Sequence, residues 1–125
     1  IGIGNLEGFP DRLKYYRQIA DRYNSGIEAS DEIKCLDYQN DRQSAWWFFP
    51  LLVERRDEFY RAMTQQGVEC SVVHRRIDRH PLFAASVNEL PGQTRFDRHQ
   101  INLPIHMGIT EVDVDKTLAA IRKGW

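Results

Sequence analysis

Residues 44–74 read SAWWFFPLLVERRDEFYRAMTQQGVECSVVH. The fold turns on this stretch, because its period changes twice. Residues 45–53 are aromatic and apolar, the composition of a strand. Pro50 cannot donate to a ladder, so it predicts an edge or a bulge there. Residues 55–67 then take helical spacing, with Phe59, Ala62 and Met63 as the apolar stripe and Gly67 as the stop. Residues 68–74 return to a strand pattern. Strand, helix, strand with one short helix between predicts a crossover unit or part of an α+β sandwich.

Upstream, Pro10 suits a first helical position. Leu13, Tyr16, Ile19, Ala20 and Tyr23 follow at helical spacing up to Gly26. Residues before Pro10 are expected to form a separate turn or helix, since proline breaks a continuous one. Residues 32–38, EIKCLDY, alternate as a short strand with Ile33, Cys35 and Asp37 on one face. Downstream, Pro91-Gly92 is a turn signal. Residues 101–106, INLPIH, read as a short edge strand carrying Pro104. A final helix starts at Thr110 with an approximate capping box to Asp113, and Val114, Leu118 and Ile121 form its buried stripe. The expected fold class is α+β: two helices flanking a small, mostly antiparallel sheet.

The chain has 125 residues, enough for a single domain with one core. Seventeen Lys and Arg against 18 Asp and Glu leave a net charge of -1, so nucleic acid is not an expected partner. No apolar run approaches the ~20 residues a membrane helix needs, and a cytoplasmic location is expected. Cys35 and Cys70 sit in apolar-alternating segments and are expected as two buried thiols, with a disulfide between them as the alternative. The first residue is Ile1, in mid-pattern and without a methionine, which reads as a fragment or a processed chain.

Against that near-neutral charge, residues 74–80, HRRIDRH, stand out. Three arginines and two histidines at the end of a predicted strand have the chemistry to hold a phosphate or carboxylate. A solvated loop with Asp78 pairing one arginine accounts for the same residues. No His-x-x-x-His or Cys-x-x-Cys spacing marks a metal site, and no Gly-x-Ser-x-Gly marks a nucleophile. Lys14, Lys34, Lys116 and Lys123 lie on polar helix faces, a short strand or the terminal helix, and none fits a Schiff-base lysine. The rings of Trp46 to Phe49 are expected to alternate, one pair filling the core and the other covering a helix, a partner or another part of a larger protein.

The order of these pieces resembles a known family. "IGIGNLE" with the helix ending "YYRQIADRYNSGI", then residues 44–74, then "LPGQTRFDRHQINLPIHMGITEVDVDKTLAAIRKGW" are similar to the small C-terminal domain of pyridoxal phosphate (PLP)-dependent sugar-nucleotide aminotransferases of the DegT/StrS type. The likeness covers nearly the whole chain and rests on order and spacing. "HRRIDRH" looks closest to a subgroup with His-x-Arg-Asn-Asp followed by His, with Ile77 replacing its Asn.

The resemblance implies the C-terminal domain of a fold-type I PLP aminotransferase, with residues 1–28 as a connecting helical segment and residues 29–125 as the sheet-plus-helices core. The parent would transfer an amino group, usually from glutamate, to a keto-sugar linked to a nucleotide, in amino-sugar or surface polysaccharide (lipopolysaccharide) biosynthesis. PLP, its lysine and the partner of its ring nitrogen would lie in an N-terminal domain outside this chain, leaving no catalytic residue here, no metal, and an inactive fragment. The parent is expected to be a homodimer, with the loop after His74 near the neighbouring subunit's active site. His74, Arg75, Arg76, Asp78 and His80 are the implied substrate-binding residues, with Arg79 beside them. The rivals are a stand-alone α+β ligand-binding module with an anion site at residues 74–80, and an interaction domain that buries Trp46 to Phe49.

Overall fold

The computed structural model describes residues 2–39, 41–74, 76–83 and 90–125. The described elements are helix α1 (Gly2–Leu6), helix α2 (Phe9–Gly26), strand β1 (Ile33–Cys35), strand β2 (Phe49–Val53), helix α3 (Arg56–Gln65), a 3-10 turn (Ile77–Arg79), helix α4 (Pro91–His99), strand β3 (Gln100–Leu103) and helix α5 (Glu111–Lys123). The strands form one antiparallel sheet in the order β1-β2-β3. The fold is α+β, as expected from the sequence.

Alternation along β2 sends Phe49, Leu51 and Val53 to one face. Register sets Ile33 and Cys35 of β1 beside Val53 and Leu51, and Ile101 and Leu103 of β3 beside Leu51 and Phe49. Three helices add to this face rather than the two expected: Ile19, Ala20 and Tyr23 from α2, Phe59 and Met63 from α3, and Val114, Leu118 and Ile121 from α5, all buried. Tyr23 packs on Phe49 with ring centroids 5.1 Å apart, and Trp125 meets Phe59 edge to face at 4.9 Å. Burying such rings is the largest source of stability in a core of this size.

The helix boundaries follow local chemistry. Pro10 lies in the first turn of α2 and separates it from α1. Asp57 and Glu58 sit in the first turn of α3, where negative charge meets the positive end of the helix dipole. Gly67, at φ 73°, reverses the chain at the other end, where the Val68 amide donates to the Met63 carbonyl. Thr110 and Asp113 form a reciprocal capping box on α5.

Five expectations change. The strand predicted over residues 45–53 pairs only from Phe49, because Trp46 takes a left-handed conformation (φ 51°) that ends the extended run. Residues 68–74 form no strand but a single bridge, Ser71 to Asn102, closed by the left-handed His74 (φ 55°). There is accordingly no parallel crossover among the described strands. Pro50 lies in the central strand, not at an edge; β1 pairs only as far as Leu51, so the missing N–H breaks no bond on that side. Pro91-Gly92 opens α4 instead of a turn, with proline in the first helical turn where no donor is required. Pro104 falls just after β3.

The opposite face of the sheet is more polar. Gln100 and Asn102 are buried there, with Asn102 Nδ2 donating to the Ser71 carbonyl and to Gln100 Oε1. The Ser71 bridge holds the start of the basic segment against this edge of the sheet.

Candidate functional site

From Ser71 the chain passes Val72 and His74, makes the 3-10 turn, and reaches His80 in extended conformation. Arg76 organises this turn. Its guanidinium grips the Asp78 carboxylate through Nε (2.9 Å) and Nη2, while Nη1 donates to Thr94 Oγ1 of α4 at 2.6 Å. The side chain is only 6% exposed, so Arg76 fastens the loop to α4. Its hydrogen bonds hold the Asp78 carboxyl below the usual carboxylate range.

A cleft of about 650 Å³ opens beside this clasp, lined by Arg56, Val72, Arg76, Arg79, His80 and Asp97 among others. Arg56, at the start of α3, donates Nη1 to the Asp97 carbonyl at 2.6 Å. Arg79 stands 3.4 Å from the Asp97 carboxylate, with 65% of its side chain exposed. His80 Nδ1 accepts from the Leu82 amide, which puts the proton of a neutral ring on Nε2. Among the described arginines of the cleft, Arg79 is the most exposed and is held by one long contact to Asp97, whereas Arg76 is committed to Asp78, so Arg79 is the best placed to turn onto an anion.

His74 lies apart from the cleft floor. Its ring centroid is 6.0 Å from Trp47 and 6.1 Å from Phe48, and Trp47 is 73% exposed. The rings do not alternate as a strand would have them. The left-handed Trp46 tucks its own ring against Phe49 at 5.3 Å and turns Trp47 outward.

The structure thus joins Arg76, Arg79 and His80 in one cleft, with Asp78 as the partner of Arg76, and sets His74 on an aromatic shelf. Arg75 lies outside the described residues. Sequence reasoning missed Arg56 and Asp97, which line the cleft from α3 and α4, and Thr94 of α4, which holds Arg76.

The remaining chemistry is quiet. Cys35 and Cys70 are half-buried free thiols, and burial pushes Cys70 up to about 12. Among the described residues no group of three His, Cys, Asp or Glu comes together as a metal site. Lys14, Lys34, Lys116 and Lys123 are all exposed, and none lines the cleft. None of the four has the enclosed surroundings that suit a Schiff-base lysine. No described helix is long and apolar enough to cross a membrane.

Residues 1–122 match the model of the DegT/DnrJ/EryC1/StrS aminotransferase family. The chain belongs to this family. Among solved structures, the sugar aminotransferase CalS13 from Micromonospora echinospora superposes with a TM-score of 0.93 at 32% identity, over 100% of this chain and 34% of that one. AtS13 from Actinomadura melliaura gives 0.92 at 30% identity, again over 100% and 34%. DesV from S. venezuelae, solved in complex with a ketimine intermediate, shares the fold at 20% identity, with a TM-score of 0.86 over 94% of this chain and 33% of that one. No curated protein matches the chain. This DegT/DnrJ/EryC1/StrS chain spans about a third of the length of the structures it matches.

Proposed function

We propose that this chain is the C-terminal, substrate-facing part of a PLP-dependent aminotransferase acting on a nucleotide-linked keto-sugar, with glutamate as amino donor. The observation that carries this reading is the superposition of the whole chain on one third of a sugar aminotransferase at 32% identity. The chemistry of the site supports it: the open cleft bears arginines suited to a diphosphate, and no lysine that would make the chain self-sufficient. PLP, when bound in the parent, supplies the electron sink for amino transfer; its lysine belongs to the rest of the protein. Residues 1–28 connect to that part, and residues 29–125 carry the sheet.

Within this reading the residues divide their work. Arg76 and Asp78 set the shape of the loop, and Arg79 and His80 face the anion. Arg75 is assigned to the same ligand by its place in the segment. His74 contacts the substrate from the shelf side. The parent acts as a homodimer in the cytoplasm, in amino-sugar or lipopolysaccharide biosynthesis, and the 125-residue chain alone is inert.

The test is turnover by the full-length protein. With glutamate and a nucleoside diphosphate-linked keto-hexose, the wild type forms the amino-sugar and His74→Ala loses at least about tenfold in kcat/KM, the worth of one positioned hydrogen bond to a charged or reacting group. No amino-sugar from the wild type sinks the reading. An unchanged rate in His74→Ala sinks the assignment of the site.

A further inference from the structure

Two non-glycine residues among those described adopt left-handed backbone, Trp46 at φ 51° and His74 at φ 55°. Such conformations cost energy and persist where the surroundings impose them, in turns and at functional sites. Here both flank one feature. The left turn at Trp46 throws Trp47 into solvent, and the left turn at His74 lays the imidazole beside it. Phe48 closes the group, its ring 5.6 Å from that of Trp47. The turn at Trp46 also tucks its own ring into the core against Phe49, so one backbone feature both anchors the segment and aims Trp47 at His74.

We infer that the Trp47–Phe48–His74 shelf stacks the nucleobase of the nucleotide-linked substrate, while the arginine cleft at the other side of the same segment takes its diphosphate. This rests on the nucleotide-sugar reading above and names which part of that substrate each surface takes. The two surfaces belong to one short run of chain. Val72, Arg76, Arg79 and His80 line the cleft, and His74, on the shelf, is two residues from both Val72 and Arg76. Two residues span at most about 7 Å, so the backbone at the shelf and at the cleft lies closer together than the length of a nucleoside diphosphate.

The chemistry of the shelf selects a base over a sugar. A ring face can pack on the C–H face of a hexose as well, but reading its several hydroxyls takes more partners than the one indole N–H and one imidazole the shelf offers. A base is held by its π-face alone, whatever its edge carries. The proximity of a basic cleft distinguishes the shelf from a plain protein contact, for which arginines paired to Asp78 and Asp97 give no reason.

The experiment uses the full-length protein and titration calorimetry with UDP, dTDP, GDP and inorganic pyrophosphate. Trp47→Ala weakens the best-bound nucleotide by about 5- to 100-fold and leaves pyrophosphate within about twofold. Trp47→Phe keeps most of the nucleotide affinity. An unchanged nucleotide affinity in Trp47→Ala overturns the shelf, as does an equal loss for pyrophosphate, which would mean that the ring only shapes the cleft. A fall in Tm of more than about 5 °C also overturns it, because the ring would then be part of the packing and not an open shelf. A wild type that binds none of the three nucleotides removes the nucleotide-sugar reading itself, a result distinct from the others.

Discussion

Helices α2 and α5 approach each other at Gly26, and the account of their packing stands or falls on that contact. A Cβ placed on Gly26 would lie 2.4 and 2.9 Å from the two methyl carbons of Leu118 and 3.2 Å from its Cγ. Carbon atoms pack at about 3.5–4.0 Å, so the overlap is about 1 Å. Leu118 is only 5% exposed and has little room to turn away. Overpacking of this kind costs about 1–3 kcal/mol. Against it, Gly→Ala in a helix gains at most about 1 kcal/mol, and less at the last residue of α2. Overpacking wins, and Gly26→Ala destabilises by about 1–2 kcal/mol, or roughly 4 °C in Tm for each kcal/mol in a chain of this size.

A double-mutant cycle isolates the contact. Leu118→Ala alone costs about 2–5 kcal/mol. With both changes the clash is gone and the new methyl fills part of the void, so the double variant is more stable than the sum by about 1–2 kcal/mol. Urea unfolding of the four proteins, followed by circular dichroism, measures this. A neutral or stabilising Gly26→Ala, or additivity within about 0.3 kcal/mol, refutes the reasoning.

Two further predictions are local. Thr110→Ala removes half of the α5 capping box and lowers stability by about 1 kcal/mol, while Thr110→Ser retains it in the same thermal melts. Within that box the Thr110 hydroxyl and amide hold the Asp113 carboxyl below its usual range. Its contribution is therefore complete above the ordinary carboxylate value near 4 and fades as pH falls through the lower folded value. Asp113→Asn should remove this part of the acid dependence, and an unchanged acid limb would contradict the assignment. Cys70, with its thiol pushed up to about 12 by burial, should alkylate with iodoacetamide at pH 8 at least about tenfold more slowly than a free thiol and at the normal rate in urea.

How far the sequence carried differs between fold and site. Periodicity placed α2, α3 and α5 well, because each buries one stripe and is bounded by a residue suited to a helix end, such as Gly67 after α3 or the Thr110 cap before α5. It failed where backbone dihedrals, not hydrophobic pattern, decide the outcome. Nothing in the letters WWFF signals that Trp46 turns left-handed, and VECSVVH scans as a strand although only Ser71 pairs. The site divides the same way. Residues 74–80 were legible as a cationic cluster, because composition alone shows it. That Arg76 spends its charge on Asp78 and Thr94 was half foreseen, as the pairing of Asp78 with an arginine. Arg56 and Asp97 come from α3 and α4, separated in sequence from the loop, and no local pattern links them to it.

The central claim is that this family chain works beside a cofactor lysine it does not contain. The most direct measurement starts from the full-length protein expressed from its own gene. The holoenzyme is reduced with borohydride, digested, and the pyridoxyl-labelled peptide located by mass spectrometry. The account predicts a protein much heavier than 14.7 kDa that absorbs at the edge of the visible, loses that band with glutamate, and carries the label outside residues 1–125. A label on Lys14, Lys34, Lys116 or Lys123, or a colourless protein that takes none, would contradict it.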